Sequence, residues 1–438
     1  MSIPRRAALL GTLAMTGCSS FDDLFQSEKP PIPGTREAIL PSTRGLQADA
    51  ADHAPVTLPP PVRNADWLQP GGNPTHAVGN LAVAGYAKIW TSRIGEAGGY
   101  RAKITAAPIV AESSVFTMDS DGAVAAFDVQ TGTRLWRTET QGEKDRSTNI
   151  GGGISAANGV IYAATGRGEA LALDAAKGTI KWRVPLDSPA RSAPTVVEGK
   201  LFLPTLDERM IALSTADGKR VWSYQATASA TIVLGEPAPA YADGILVGGF
   251  GSGDLVGLRA ESGSLAWSDS LAAARGRTSL ADLSAIRALP VIVGNVVYAI
   301  GIGGLLVAID LRSGRRLWER EVAGQYTPWA AGDWLFVLTL DQQLLAIGRA
   351  DGRIRWISAL PRYDNPDKQR DPIFWAGPLL ADKYLFVAGS TEKLLAINPG
   401  NGAILGQQDL PGIASLSPIA AQGKVFVLTD DATLSALG

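Results

Sequence analysis

The chain has few of the residues that most often carry chemistry. Its 438 residues contain one cysteine, Cys18, and two histidines, His53 and His76. A single thiol leaves no cysteine pair for redox or metal chemistry. Two imidazoles, both ahead of the repeats described below, leave little capacity for general acid–base catalysis at neutral pH. These shortages count against an enzyme.

The chain also has a small net charge and little helical periodicity. A net charge of −2 gives no electrostatic reason to expect binding to nucleic acid or to an anionic membrane surface. Outside the extreme N-terminus no window keeps an apolar period of about 3.6 residues, so amphipathic helices are not expected. No Gly-rich phosphate loop follows a strand and opens a helix, and Gly151-Gly152-Gly153 is interpreted as a flexible turn.

A unit of fixed internal spacing is repeated eight times instead. A Pro is followed by an aromatic or branched residue, an Ala-Leu-Asp-like triplet, a Gly and a Trp. The first copy is Pro108, Phe116, Ala126-Phe127-Asp128, Gly132 and Trp136, so Trp follows Pro by 28 residues. The remaining copies begin at Ile154, Pro194, Pro239, Pro290, Pro328, Pro378 and Pro418. A fixed period of this kind indicates a repeat architecture.

Each unit contains four short β-rich runs separated by turn residues such as Asp-Gly and Ser-Gly. Four-stranded units repeated radially form a β-propeller. The predicted fold is therefore all-β, an eight-bladed β-propeller of four-stranded antiparallel blades. The Trp column is expected to fill the gap between neighbouring blades. Acidic residues in the triplet column are expected to serve turns or blade contacts; they are Asp128, Asp174 and Asp310.

The eighth copy reaches Gly438 before its Trp position. Ala87-Lys88-Ile89-Trp90, ahead of the first repeat, resembles the missing segment. We therefore expect an N-terminal strand to complete the last blade and to close the ring.

The N-terminus is similar to an export signal. Arg5-Arg6 precede an apolar run, Ala7 to Met15, which is too short to span a bilayer. Thr16-Gly17-Cys18 resembles a bacterial lipobox, which implies a signal peptide at 1–17 and a lipidated Cys18. Ser19-Ser20 places no Asp after the cysteine, and resemblance to sorted lipoproteins then implies the outer membrane. Export by the Sec route or by the twin-arginine route stays open.

Residues 18–80, which include the lipidated cysteine, are rich in Pro and in small polar residues, and Pro59-Pro60-Pro61 excludes a long helix. We interpret this segment as a tether and residues 81–438 as the propeller. Trp67-Leu68 is expected to pack on the propeller.

The segments between repeats vary in length although the repeats do not. From each Trp position to the next Pro position there are 10 to 23 residues. These segments join the outer strand of one blade to the inner strand of the next, so they emerge on one face of the ring. Insertions collected on one face indicate a binding face.

Two neighbouring long connections supply the candidate partner-binding residues. They combine apolar side chains with Arg, Asp and Glu, which suits a protein-binding patch. The candidates are Ile232, Val233, Leu234, Gly235, Glu236, Arg277, Leu280, Asp282, Leu283 and Arg287. Purely structural roles for these residues stay open, such as a longer inner strand at 232–234. A third long connection contains a charged run, 364–371, that is interpreted as a solvated loop.

The lipobox and the eight repeats, from about Leu81 to Gly438, resemble the BamB family, the propeller lipoproteins of the outer-membrane β-barrel assembly machinery. The resemblance implies a non-enzymatic, lipid-anchored scaffold on the periplasmic side of the outer membrane. Segments 234–239 and 277–284 look like the two loops with which the family docks on the periplasmic domains of BamA, the barrel component. A BamA-like partner, other assembly-complex subunits and a monomeric state within that hetero-complex are implied as well.

The triplet-Gly-Trp signature also resembles that of the quinoprotein dehydrogenases. A quinone (PQQ)-dependent dehydrogenase is therefore an alternative, and a propeller that binds peptidoglycan or a small ligand is another. Those dehydrogenases share an adjacent cysteine pair and a calcium ion held by carboxylates and amides. This chain has only Cys18 and no dense carboxylate–amide cluster on its predicted inner strands. We therefore expect no cofactor, no metal and no enzymatic activity.

Overall fold

A computed structural model describes residues 46–49, 55–99, 103–142, 147–229, 237–272 and 284–438. The regular elements in these ranges are β-strands, and none of these residues lies in a helix. The strands form eight antiparallel sheets of four strands each, together with one two-stranded hairpin. The prediction of an eight-bladed β-propeller is confirmed.

The blades are numbered 1 to 8 from the repeat that begins at Pro108. The inner strands are Ile109–Ala111, Gly152–Ala157, Thr195–Val197, Ala240–Ala242, Val291–Val293, Trp329–Ala331, Trp375–Ala381 and Ile419–Ala421. The second strands are Ser114–Met118, Val160–Thr165, Lys200–Thr205, Ile245–Gly249, Val296–Ile300, Trp334–Leu338, Tyr384–Gly389 and Lys424–Leu428.

The third strands are Val124–Asp128, Glu169–Asp174, Arg209–Ser214, Asp254–Arg259, Leu306–Asp310, Gln343–Gly348, Lys393–Ile397 and Thr433–Leu437. The outer strands of blades 1 to 7 are Arg134–Thr138, Ile180–Pro185, Arg220–Gln225, Leu265–Ser270, Arg316–Arg320, Ile354–Ala359 and Ile404–Asp409.

Blade 8 takes its outer strand from the other end of the chain. Lys88–Arg93 pairs antiparallel with Thr433–Leu437, and Thr91 lies opposite Ser435. The predicted ring closure is confirmed. The second and third strands are mostly apolar and buried between their end residues because each blade packs against a neighbour on both faces, and Trp334–Leu338 is buried along its whole length.

The Trp column joins each blade to the next. In blade 1 the Trp136 Nε1–H donates to the carbonyl oxygen of Ala175 in blade 2 over 2.9 Å, and the ring covers Gly178. An added Cβ on Gly178 would lie 2.5 Å from that ring, and this glycine has φ +70°. The position therefore requires glycine for two reasons, the lack of space and the left-handed backbone. The donors Trp90, Trp182, Trp222, Trp267, Trp318 and Trp356 make the equivalent bond. The predicted role between blades is confirmed.

Gly406 occupies the Trp position of blade 7, and a residue from outside the repeats fills the space. The Tyr86 hydroxyl lies 2.6 Å from the place of a Cβ on Gly406. Its ring packs edge-on against Phe386 with 5.6 Å between centroids, as Trp136 packs on Phe116 in blade 1. Tyr86 therefore replaces the missing indole.

Residues 62–84, termed the collar, make one full circuit of the ring. The collar touches the inner region of each blade in turn, and its two ends pair in parallel at Val62 and Leu81. The contacts run from blade 8 through blades 1 to 7 and back to blade 8: Asn64 with Gln422, Trp67 with Val110, Leu68 with Ala156, Gln69 with Val196, Pro74 with Tyr241, Thr75 with Ile292, Gly79 with Trp329, Leu81 with Asp382 and Ala84 with Gly423.

All of these contacts except the one at Trp329 are made by middle or later residues of the inner strands or by the turns that follow them, whereas the connections enter those strands at their beginning. The collar thus lies at the end of the channel away from the inter-blade connections. We term the side that carries the connections the loop face and the opposite side the turn face. Trp67, within the segment predicted to be a tether, is 3% exposed and stacks on Trp329 with 6.3 Å between ring centroids.

Candidate functional site

The loop face carries the connections whose lengths vary. Because each blade has four antiparallel strands, every outer strand ends on the side where the next inner strand begins. Most of the predicted partner-binding residues lie outside the described part of the chain; they are Ile232, Val233, Leu234, Gly235, Glu236, Arg277, Leu280, Asp282 and Leu283. The predicted lipidation site, Cys18, lies outside it too. Arg287 is the member of the set that the structure describes.

Arg287 lies at the wall of the central channel. Its Nη1–H donates to the Gln325 Oε1 over 2.8 Å, and its Nε is buried with no hydrogen-bond partner among the described residues. Burial lowers the pKa of the guanidinium from its ordinary value. An arginine nevertheless stays charged at neutral pH. The wall therefore holds a positive charge with an unused donor.

The channel forms a cavity of about 970 Å³ that all eight blades line. Its wall is built from the residues that lead into the inner strands, among them Pro108, Gly152 and Pro418. The collar residues Trp67 and His76 line it as well. The collar therefore forms the floor of the cavity at the turn-face end, and the loop face carries its mouth.

His76 contributes an unusual polar group to that floor. His76 is 5% exposed and has φ +59°, in the left-handed region. Nδ1 lies 2.7 Å from the carbonyl oxygen of Pro290, which can only accept, so Nδ1 carries the proton. Burial lowers the pKa of His76 to about 4, so the ring is neutral at pH 7. Nε2 is then an acceptor, buried and without a partner among the described residues.

Further charges at the cavity are mostly basic. Arg191 is 6% exposed, and Lys103 is exposed. Burial raises the pKa of the carboxyl of Glu208, which is near Arg191 but outside the lining, and the hydrogen bond from the Gly251 N–H and the positive charge of Arg191 oppose that shift. Asp430 is the acidic member of the lining, and its Oδ1 accepts a hydrogen bond from the Ser415 hydroxyl over 2.6 Å.

Large apolar side chains are exposed beside the mouth. Phe374 is 55% exposed and Ile413 is 45% exposed, and both line the cavity. Tyr326 crosses from the connection before blade 6 to the connection before blade 8, where its hydroxyl lies 3.4 Å from the Ser415 carbonyl oxygen. The rim of the cavity is therefore apolar and aromatic between blades 5 and 8.

The third long connection forms a hairpin rather than an irregular loop. Tyr363–Asn365 pairs with Arg370–Pro372, and the residues between and within these strands are largely exposed. The predicted exposure of the charged run agrees with this arrangement, whereas its pairing was not predicted. Tyr363 lies opposite Pro372, and the hairpin belongs to the connection between blades 6 and 7 on the loop face.

The acidic residues of the triplet column serve turns, as predicted. Asp128 Oδ1 accepts from the backbone N–H groups of Gln130 and Thr131 and from the Thr131 hydroxyl. These bonds lower the pKa of the Asp128 carboxyl. Within the described ranges no three His, Cys, Asp or Glu side chains are grouped closely enough to hold a metal ion, and no helix is long and apolar enough to cross a membrane.

Sequence reasoning missed the floor of the cavity. The sequence predicts a packing role for Trp67, but the repeat pattern gives no role to His76, which precedes the repeats. A usable signal was present in Pro70-Gly71-Gly72-Asn73-Pro74, a dense run of turn formers immediately before His76. Such a run is able to bend the chain tightly. Gly71 accommodates the imidazole, since a Cβ there would lie 2.6 Å from that of His76.

Comparison with known proteins gives one family and one fold. The family model described as "Outer membrane protein assembly factor BamB" matches residues 87–150, 120–358 and 365–438. The protein of that name from Yersinia pestis is 27% identical over 356 residues, which cover 80% of this chain and 88% of the relative. The protein of that name from Escherichia coli K12 is 27% identical over 336 residues, with coverages of 75% and 82%.

Solved structures agree with the eight-bladed architecture. BamB from Moraxella catarrhalis superposes with a TM-score of 0.69 at 18% identity, over 80% of this chain and 99% of that chain. Quinohemoprotein alcohol dehydrogenase from Comamonas testosteroni superposes with a TM-score of 0.66 at 13% identity, over 86% and 81%. At such identities these likenesses concern the fold alone.

Proposed function

Since the chain belongs to the family of outer membrane protein assembly factor BamB, we propose that it acts in outer membrane protein assembly as a non-enzymatic scaffold. The family model matches nearly the whole propeller, and curated relatives align over four-fifths of the chain. The likeness to the quinohemoprotein alcohol dehydrogenase does not support dehydrogenase activity, because at 13% identity it concerns the fold alone.

The proposed partner is the periplasmic part of a BamA-like barrel assembly protein, bound at the loop face. The observation that carries this proposal is the difference between the two faces. The collar occupies the channel end at the turn face and contacts all eight blades, whereas on the loop face the next Pro position follows each Trp position by 10 to 23 residues. Variable segments on a rigid scaffold are the usual carriers of binding.

The anchor and the compartment complete the proposal. A lipid on Cys18 holds the protein to the periplasmic side of the outer membrane, and residues 18–61 connect that lipid to the collar. In this arrangement the protein is a monomer within a complex that also contains other assembly subunits.

A binding measurement with matched variants tests the partner. The purified periplasmic domains of the BamA-like protein are titrated against the wild type and against a Leu280→Asp, Leu283→Asp double variant. The control is Leu135→Asp, which places the same charge on an outer strand where Leu135 is 54% exposed. We expect the loop variant to bind at least about tenfold more weakly and the control to bind normally.

Equal affinity of the wild type and the loop variant would show that the connection containing Leu280 and Leu283 is not part of the interface. The absence of binding by the wild type would contradict the proposal that a BamA-like protein is the partner.

A further inference from the structure

We infer that the central cavity is a binding site for a small aromatic carboxylate that also carries an N–H or O–H donor. This ligand is distinct from the protein partner proposed above. The inference rests on an acceptor and a positively charged donor that no described residue uses, and on an aromatic wall, all in the lining of one cavity.

The acceptor is the Nε2 atom of His76. The bond from Nδ1–H to the Pro290 carbonyl fixes the tautomer, and a neutral ring leaves a lone pair on Nε2. The residue is 5% exposed, and Nε2 has no hydrogen-bond partner among the residues that the structure describes. A buried acceptor without a partner costs about 1–3 kcal/mol, and a ligand donor recovers that cost.

The donor is the guanidinium of Arg287. Gln325 accepts from Nη1, which leaves the Nε side of the group unused within the described ranges. That side of an arginine matches the two oxygens of a carboxylate with parallel hydrogen bonds. No carboxylate among the described residues forms an ion pair with Arg287. Arg191, 6% exposed in the same wall, adds a second positive charge.

The apolar part of the ligand is matched by aromatic walls. Trp67 and Trp329 stack at the floor, and Tyr326 and Phe374 lie near the mouth. A volume of about 970 Å³ falls within the roughly 300–1,000 Å³ typical of small-molecule sites. Aromatic rings with one polar end suit such a site because the body packs while the end is hydrogen-bonded.

A carboxylate fits better than a more highly charged anion. The lining contains Asp430, which repels a dianion, and Ala, Ile and Pro are its commonest residues. A single negative charge paired with a guanidinium requires the least desolvation in such surroundings. We therefore assign the site to a monocarboxylate.

Calorimetric titration of the full chain tests this assignment with two probes. N-acetyl-L-tryptophan carries a carboxylate, an indole and an N–H donor, and N-acetyl-L-tryptophanamide is its neutral match. We expect one saturable site per chain for the carboxylate and at least about tenfold weaker binding of the amide, the effect of one charge-assisted hydrogen bond.

Variants locate the site. R287Q is expected to weaken the carboxylate at least about tenfold and to leave the amide nearly unchanged. H76N, which tolerates the same positive φ, is expected to weaken both probes because the shorter asparagine side chain has no atom at the position of Nε2. R312Q is the control, because the Arg312 side chain is 74% exposed on an outer turn.

Unfolding curves recorded for each variant separate loss of binding from loss of structure. The absence of saturable binding of N-acetyl-L-tryptophan at millimolar concentration would overturn the inference. An equal loss of both probes in R287Q would overturn the carboxylate assignment, since a purely structural role of Arg287 predicts that result.

Discussion

The two ends of the central channel are built from different kinds of chain. At the turn face the collar crosses all eight blades and bonds to the backbone of most of them, so its path is fixed at many points. At the loop face the connections differ in length from blade to blade and surround the mouth of a cavity. The contrast indicates that one end holds the ring together while the other is free to serve binding.

Removing the central collar contact is expected to have the largest effect on stability. Trp67 is 3% exposed and stacks on Trp329 at the floor of the cavity. Trp67→Ala is expected to lower the free energy of unfolding by about 3–5 kcal/mol, because the space left by a buried indole collapses only in part. Denaturant unfolding followed by circular dichroism measures this loss. A loss below about 1 kcal/mol would contradict a structural role for the collar.

The pH dependence of stability reports on His76. The unfolded histidine takes up its proton near pH 6.5 and the folded one only near pH 4, so protons favour the unfolded state between these values. Stability from this group is complete above pH 6.5 and is lost as the pH falls toward 4. The loss is on the order of 3 kcal/mol, because each pKa unit corresponds to about 1.4 kcal/mol.

H76N serves as the reference in that experiment because it cannot take up the proton. The difference between wild-type and variant unfolding free energies is expected to shrink between pH 6.5 and 4. Parallel curves over that interval would show that His76 is not buried as a neutral ring.

Alanine substitutions at two glycines with the same φ distinguish the cost of backbone strain from the cost of disturbing the contact between blades. Gly199 and Gly218 both have φ +71°, but only Gly218 lies against the preceding blade, where a Cβ would be 2.9 Å from Trp182. Gly199→Ala is expected to cost about 1 kcal/mol for the left-handed conformation. Gly218→Ala is expected to cost about 1–3 kcal/mol more, since the indole has to move. Thermal unfolding of the pair measures the difference, and equal losses would show that the Trp–Gly contact contributes nothing.

The smallest effect on stability is expected at the loop face. Phe374 is 55% exposed at the mouth of the same channel. Phe374→Ala is expected to change the free energy of unfolding by less than about 0.5 kcal/mol, as for other exposed positions. The same unfolding assay therefore compares an aromatic residue at each end. A loss similar to that of Trp67→Ala would show that the two ends of the channel contribute equally to stability.

The parts of the fold that were predictable are those encoded at fixed spacing. Trp136 and Gly178 recur with their equivalents around the ring, so their pairing between blades follows from the repeat. The strand that contains Trp90 was placed in blade 8 by its likeness to the same pattern. In each case a local signature is enough because each blade repeats one set of contacts.

The collar and the floor of the cavity were not predictable in the same way. The collar meets each blade through one to three hydrogen bonds, many of them from the backbone, and these leave no residue pattern. His76 acquires its role from Pro290, which is 214 residues away in the chain. Tyr86 replaces an indole at Gly406 although it lies outside the repeat. Contacts so distant in sequence depend on the closed ring and are visible only when the ring is assembled.

Hydrogen exchange of the full chain, with and without the periplasmic domains of the BamA-like protein, tests the central claim most directly. The account predicts slower exchange in the connections at 226–238 and 271–289, with unchanged exchange in the collar at 62–84. Protection of the collar, or of the turns between third and outer strands, with unchanged loop-face connections would contradict it, because the partner would then bind the end that we assign to holding the ring together.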